Sequence, residues 1–182
     1  MRLKDLLWAV VFGMLVIGCS SSKKAMVTNP VLDTMMEQQK MEFIATSAHP
    51  TVTNAISQIA QSGLLAPGST VGRIDLGGNS NFLKIDGDSV TANLAYYGER
   101  RLGGGYNSNS GIEFKGGAED LEIVKDDVKN SYRLSFRVRE QVETFNVTIT
   151  LSSKLIGTLD IIGSHRTRIA YSGRANTLKE SE

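Results

Sequence analysis

The feature that most constrains this chain is a strict alternation of apolar and polar residues through its second half. Tyr132, Leu134, Phe136 and Val138 interleave with Arg133, Ser135, Arg137 and Arg139, and Phe145, Val147, Ile149 and Leu151 repeat the pattern one turn later. A period of two fits a pleated strand with one buried face and does not fit a helix. A two-residue turn at Glu140-Gln141 pairs Arg139 with Val142. It sets Phe136 against Phe145, Leu134 against Val147 and Tyr132 against Ile149, and leaves Val138 facing Glu143. On the other side, a turn over Asp127 to Asn130 pairs Asp126 with Ser131. That places Ile123 against Leu134, Leu121 against Phe136, and Asp120 opposite Arg137 with Glu122 diagonal to it. A slip of one residue would turn every oily side chain outward. An antiparallel meander with one oily face must close on itself or stack on a second sheet. The expected fold is therefore mainly β, a meander closing into a barrel or sandwich, with one or two short N-terminal helices.

The remaining strands follow from the same period. Val71–Leu76, Phe82–Asp86, Ser89–Ala95, Ile112–Lys115, Ala118–Asp126, Gly157–Ile162 and Arg166–Ser172 are expected strands. Gly87-Asp88 is a hairpin turn, and 18 glycines against 3 prolines suit a turn-rich sheet. Before them, Asp33–Met41 reads as a helix capped by Asp33, and Met41–Ala48 as extended. Asn54–Gln61 reads as a helix capped by Thr53 or Asn54 and stopped at Gly63. Tyr96 to Ser110 is a loop rich in Gly, Asn and Ser. Val90, Ala92 and Leu94 alternate inward, so Tyr96 is expected to fill the end of the core and Tyr97 to face outward beside Arg100 and Arg101.

The N-terminus is of a different kind. Arg2 and Lys4 form a basic head, Leu6 to Gly18 is uncharged, and Cys19 follows. That order is the layout of a secretory signal, and the apolar run is shorter than the ~20 residues of a permanent span. Val16-Ile17-Gly18-Cys19 resembles the lipobox of bacterial lipoproteins, which implies cleavage before Cys19 and acylation (palmitate among the chains) of that cysteine. Cys19 is the sole cysteine, so no intrachain disulfide can form. The expected organisation is a signal peptide at 1–18, a polar tether at 19–32, one β-rich domain at 33–174 and a polar tail at 175–182. The basic run after Cys19, Ser20-Ser21-Ser22-Lys23-Lys24, favours the periplasmic face of the outer membrane. The expected partners are the membrane, through lipidated Cys19, and an envelope protein or glycan. Of 20 basic and 19 acidic residues, Arg2, Lys4 and Asp5 precede Cys19. Eighteen of each sign then remain, and the processed chain has zero net charge, which speaks against nucleic acid as a partner.

Several segments resemble a known family. Asn81-Phe82-Leu83-Lys84-Ile85-Asp86-Gly87-Asp88-Ser89-Val90 resembles the "NF-x-x-V-x-GD" hairpin of the domain of unknown function 4251 family. Leu94-Ala95-Tyr96-Tyr97-Gly98-Glu99-Arg100 resembles its "LPYFGRA" segment, with Ala95 where the family has Pro. Gly111-Ile112-Glu113-Phe114-Lys115-Gly116 and Tyr171-Ser172-Gly173 resemble two later motifs, and Met41–Ala48 an opening strand. The likeness runs from about Asp33 to Gly173, with Thr51–Ser69 longer than the family core. It implies exported bacterial lipoproteins with a β-rich domain, and it implies no activity.

Chemical motifs are sparse. Asp86 and Asp88 flank a turn glycine, and two carboxylates fall short of the six or more oxygens that calcium takes. His49 and His165 lack metal-ligand spacing, no Gly-x-Ser-x-Gly elbow is present, and no cofactor or metal is expected. Asn146-Val147-Thr148 is a sequon lying mid-strand. Thr34 and Ser89, each after an Asp, match a three-residue O-glycosylation motif and are candidate acceptors. The surface singled out for ligand or partner contact is Tyr97, Arg100, Arg101 and Tyr106, since Tyr and Arg dominate binding hot spots and loops on a rigid sheet often carry function. The leading expectation is a non-enzymatic binding or interaction module. Its rivals are a small-molecule carrier with a cavity of about 300 Å³ or more in a closed barrel and a periplasmic hydrolase. The hydrolase would show a Ser or Asp within hydrogen-bond reach of a His.

Overall fold

The computed structural model describes residues 29–77, 80–101 and 111–178. The expected signal, Cys19 and Tyr106 lie outside the described residues. Helix α1 (Pro30–Gln38) leads into the long strand β1 (Lys40–Pro50), and α2 (Asn54–Gln61) and the short β2 (Ile74–Asp75) follow. The sheet continues with β3 (Phe82–Asp86), β4 (Ser89–Leu94), β5 (Ile112–Gly117), β6 (Glu119–Asp126), β7 (Ser131–Glu140), β8 (Glu143–Ser152), β9 (Ile156–Gly163) and β10 (Ile169–Asn176).

All pairings are antiparallel, in the order β5-β4-β3-β1-β10-β9-β8-β7-β6, with β2 on the far end of β1. The two ends of this ladder are halves of one continuous segment. β5 pairs with β4, β6 pairs with β7, and Ala118 alone separates them. Ala118 N–H donates to Asp88 O at 2.7 Å, while Lys115 N–H reaches the Glu140 carboxylate at 3.2 Å. One bent strand thus brings the sheet close to a closed barrel, which removes most of the unpaired edge that an open meander would expose. Met41, Phe43, Leu83, Ile85, Ile149 and Tyr171 are among the fully buried side chains of the single core.

The register of β6 on β7 follows the alternation, with Ile123 opposite Leu134 and Asp126 opposite Ser131. The β7–β8 register is shifted by two from the expected one. The turn falls at Gln141-Val142, so Glu140 pairs with Glu143, Phe136 with Val147, Leu134 with Ile149 and Tyr132 with Leu151. A two-residue shift keeps every side chain on its face, so alternation cannot distinguish the two registers. The observed one gives Val138 the Phe145 side as partner in place of Glu143, and Gln141 takes the left-handed turn conformation at φ +53°. A bulge between Glu119 and Glu122 also displaces the expected pairs at that end. Glu119, not Asp120, lies opposite Arg137, and Leu121 is half-buried at the bulge, no longer opposite Phe136. Asp120, at φ +55°, still reaches the Arg137 guanidinium, which it shares with Glu119.

The helix and strand ends differ in instructive ways. Helix α1 starts at Pro30, inside the stretch expected as tether. Asn29 is its cap, accepting from Val31 N–H at 3.0 Å and Leu32 N–H at 3.4 Å, and Pro30 needs no donor partner at N1. Gln39, left-handed at φ 54°, ends it before Met41. Asp33 therefore caps nothing; it accepts from the Tyr132 hydroxyl at 2.5 Å and Lys125 Nζ at 2.8 Å. The α2 bounds, its Thr53 cap and the left-handed Gly63 stand where the sequence placed them. Val71–Leu76 shrinks to two strand residues because Thr70 and Arg73 bond each other across a tight turn. The last strand starts at Ile169, not Arg166, and runs through Ala175, which is buried, into what was expected as tail.

Candidate functional site

Two hydrogen bonds to the Ala95 backbone fix the start of the segment after β4 at one end of the barrel. Asn81, buried just ahead of β3, accepts from Ala95 N–H at 2.7 Å. The Tyr171 hydroxyl donates to Ala95 O at 2.9 Å from the core. Burial pushes the Tyr171 phenol well above the ordinary tyrosine range, and it stays a neutral donor. With Ala95 held from both sides, Tyr96 enters on a set path. Its hydroxyl lies 2.9 Å from Thr167 Oγ1 and within 3.0 Å of the Glu99 and Thr167 carbonyls. Gly98 follows because a Cβ there would stand 2.6 Å from Thr167 Oγ1 and from Tyr96 Cζ.

Beneath Tyr96 lies a buried ion pair. Arg166 Nε and Nη2 donate to the two Glu143 carboxylate oxygens, each at 2.8 Å, and Nη1 donates to Gly111 O at 2.8 Å. The two side chains are 6% and 12% exposed. The guanidinium carbon sits 4.9 Å from the Tyr96 ring centroid and 5.4 Å from that of Phe145. A guanidinium that binds a carboxylate with two parallel bonds and stacks on aromatic faces is matched in charge, hydrogen bonds and shape. Next to it, Arg101 N–H donates to His165 O at 2.8 Å and Thr167 N–H to Glu99 O at 3.0 Å, with Arg100 bridged to Arg166. Both flanks of residues 102–110, Arg101 and Gly111, are therefore pinned to the residues around Arg166.

The expected site residues fall as follows. Arg100 and Arg101 are exposed at this end of the barrel. Tyr97 does not stand clear in solvent as expected; it is half-buried and packs against the core, as Tyr96 does. Two consecutive tyrosines both pack inward because the chain has left the strand after Leu94 and strict alternation no longer applies. Thr34 on α1 and Ser89 at the start of β4 are exposed, and Asp86 pairs with Lys40 at 3.2 Å beside the left-handed Gly87. Sequence reasoning missed Arg166 and Glu143, although an acidic residue on the inward face of a strand calls for a buried cation beside it.

A second polar group lies on the outer face. His49 Nε2 is 2.9 Å from Ser172 Oγ and 3.3 Å from Ser47 Oγ, and Nδ1 is 3.3 Å from Gly72 O. With Nδ1–H donating to Gly72 O, Nε2 accepts from the serine. Ser172, however, sits inside β10, which is hydrogen-bonded on both sides by β1 and β9. A hydrolytic serine needs free N–H groups beside it to hold an oxyanion, and the ladder occupies those. The contact ties β1, β10 and the Gly72 turn together. Among the described residues, no three His, Cys, Asp or Glu side chains converge as a metal site, and no helix is long and apolar enough to cross a membrane.

The chain matches the model of the domain of unknown function DUF4251 over residues 24–175. Among solved structures it resembles the crystal structure of a DUF4251 family protein from Bacteroides eggerthii DSM 20697. The TM-score is 0.57 with 15% sequence identity, over 84% of this chain and 89% of that one. Likeness at that identity is likeness of fold. No curated protein matches the chain.

Proposed function

This chain belongs to the DUF4251 family, and from that premise we propose that it is a membrane-anchored envelope lipoprotein acting as a non-enzymatic binding or interaction module. The basic head, the uncharged run Leu6 to Gly18 and the ending Val16-Ile17-Gly18-Cys19 support lipid on Cys19, with the basic stretch behind it favouring the periplasmic face of the outer membrane. The observation that carries the binding role is the bracing of the Tyr96–Arg101 segment on the buried Arg166–Glu143 pair, which holds two exposed arginines on a rigid base. Arg100 and Arg101 suit an anionic group or a glycan on an envelope partner. Pull-down of the lipidated protein from envelopes tests this. Arg100→Glu with Arg101→Glu loses the wild-type partners on this reading; retention of all of them would end it.

A small-molecule carrier finds less support. The Phe114 and Phe145 rings, on β5 and β8 to either side of β7, lie 5.4 Å apart between centroids, and the Arg166 guanidinium lies 5.4 Å from the Phe145 ring, so aromatic and ion-paired side chains occupy the interior beside the Arg166–Glu143 pair. A hydrolase is favoured by the Ser172–His49 contact alone. A fluorophosphonate probe is expected to leave Ser172 unlabelled, and stoichiometric labelling at Ser172 would replace the leading reading with that one.

A further inference from the structure

The fold places Asn29, the first described residue, and the arginine-bearing segment at opposite ends of the same strands. Asn29, next to the tether, donates from Nδ2 to Ser153 O at 2.6 Å in the β8–β9 turn. One turn further on, Asp33 is bonded to Tyr132 and Lys125 at the foot of β7 and β6. Ser131 pairs with Ser152, so the β6–β7 turn (127–130) and the β8–β9 turn (153–155) lie side by side. The other ends of β7 and β8 carry the Gln141-Val142 turn, and Glu143, Arg166 and Arg101 gather there. Strands β7 and β8 have 10 residues each, about 30 Å of chain, or roughly 25 Å of height at the usual barrel tilt.

We propose that the β6–β7 and β8–β9 turns rest on the phospholipid bilayer, with the Arg100–Arg101 segment held away from it. The inference rests on the reading of Cys19 as the lipid carrier. Val128, at the tip of the β6–β7 turn, is 91% exposed, with Lys129 beside it and Lys154 exposed on the adjacent turn. A lone valine enters the headgroup layer and the lysines stay at its surface. Asp126, paired with Lys129, and Asp127 keep this end from being a basic patch. The tether, not anionic lipid, therefore sets the contact. The ten residue steps from Cys19 to Asn29 span at most about 35 Å when fully extended. The inverted pose would raise Asn29 by the height of the barrel and keep most of the tether stretched.

The test uses the full lipidated chain. With Cys19 acylated, Val128→Cys or Val142→Cys supplies the one reactive thiol, and both positions are exposed turn residues. An environment-sensitive fluorophore on each is read in phosphatidylethanolamine and phosphatidylglycerol vesicles carrying a nitroxide-labelled headgroup lipid. Position 128 is expected to be quenched several-fold more than position 142, with no loss on raising salt. Equal quenching, or more at position 142, overturns the orientation. Lys154→Cys repeats the reading should the Val128 variant fold poorly. Thiol labelling of the unsubstituted chain comes first: a free Cys19 removes the anchor reading itself and the orientation with it, a failure distinct from equal quenching on an anchored protein.

Discussion

Glu143→Ala removes the carboxylate and leaves Arg166 buried with one carbonyl partner, Gly111 O. Two charge-assisted bonds of 2.8 Å are lost, and the guanidinium, 6% exposed, cannot turn to water without moving Tyr96 and Gly111. Breaking one half of a buried pair typically costs about 3–5 kcal/mol. The exposed pair Arg168–Asp160 is the internal control. It also has two close bonds, at 2.6 and 2.5 Å, but Arg168 is 63% exposed. Asp160→Ala is therefore expected to cost about 0–1 kcal/mol. The double variant Glu143→Leu with Arg166→Met removes both charges from the site and is expected to recover most of the loss. Urea unfolding at fixed pH gives the three values. A Glu143→Ala cost as small as that of Asp160→Ala would refute the claim that this pair braces the Tyr96–Arg101 segment.

Gly173 faces β1 at the bulge between Ala45 and Ser47, where a Cβ would lie 2.8 Å from Phe43 Cζ and closer still to the Ile44 carbonyl; Gly173→Ala is expected to cost about 1–3 kcal/mol in urea unfolding, and an unchanged midpoint would contradict that packing. Phe136→Ala, on the buried face, is expected to cost about 3–5 kcal/mol, against under about 1 for Arg137→Ala on the other face. The bonds to Lys125 and Tyr132 lower the Asp33 carboxyl below the usual aspartate range, so its contribution to α1 docking is present above the unfolded aspartate pKa and lost as pH falls through the folded value. Methyl spectra of Met35 and Met36 recorded on acidification report that loss, and Asp33→Asn is expected to abolish its pH dependence.

How far the residues foretold this structure depends on which physical signal carried each element. Period-two burial runs the length of β7, so faces and strand order in the meander were legible down to Ile123 opposite Leu134. The two-residue shift at β8 was not, because both registers bury the same side chains and the turn at Gln141 decides between them. Helix α1 was displaced because Asn29 and Pro30, not Asp33, hold the capping chemistry, while Asp33 answers to Lys125, 92 positions away. The brace at Arg166 depends on contacts with Glu143, Gly111 and Tyr96, none of them near in sequence. Its one local trace was the pairing of Val138 with Glu143 in the expected register, an acid left on the oily face.

The anchor is the claim on which both the proposed role and the orientation depend. Mass spectrometry of the N-terminal peptide from protein isolated with its native envelope tests it directly. The expected mature chain begins at Cys19 and carries acyl chains on that residue, and Cys19→Ala is expected to leave an unprocessed, unlabelled precursor. A mature chain that retains residues 1–18, or begins at Cys19 with a free thiol, would contradict it.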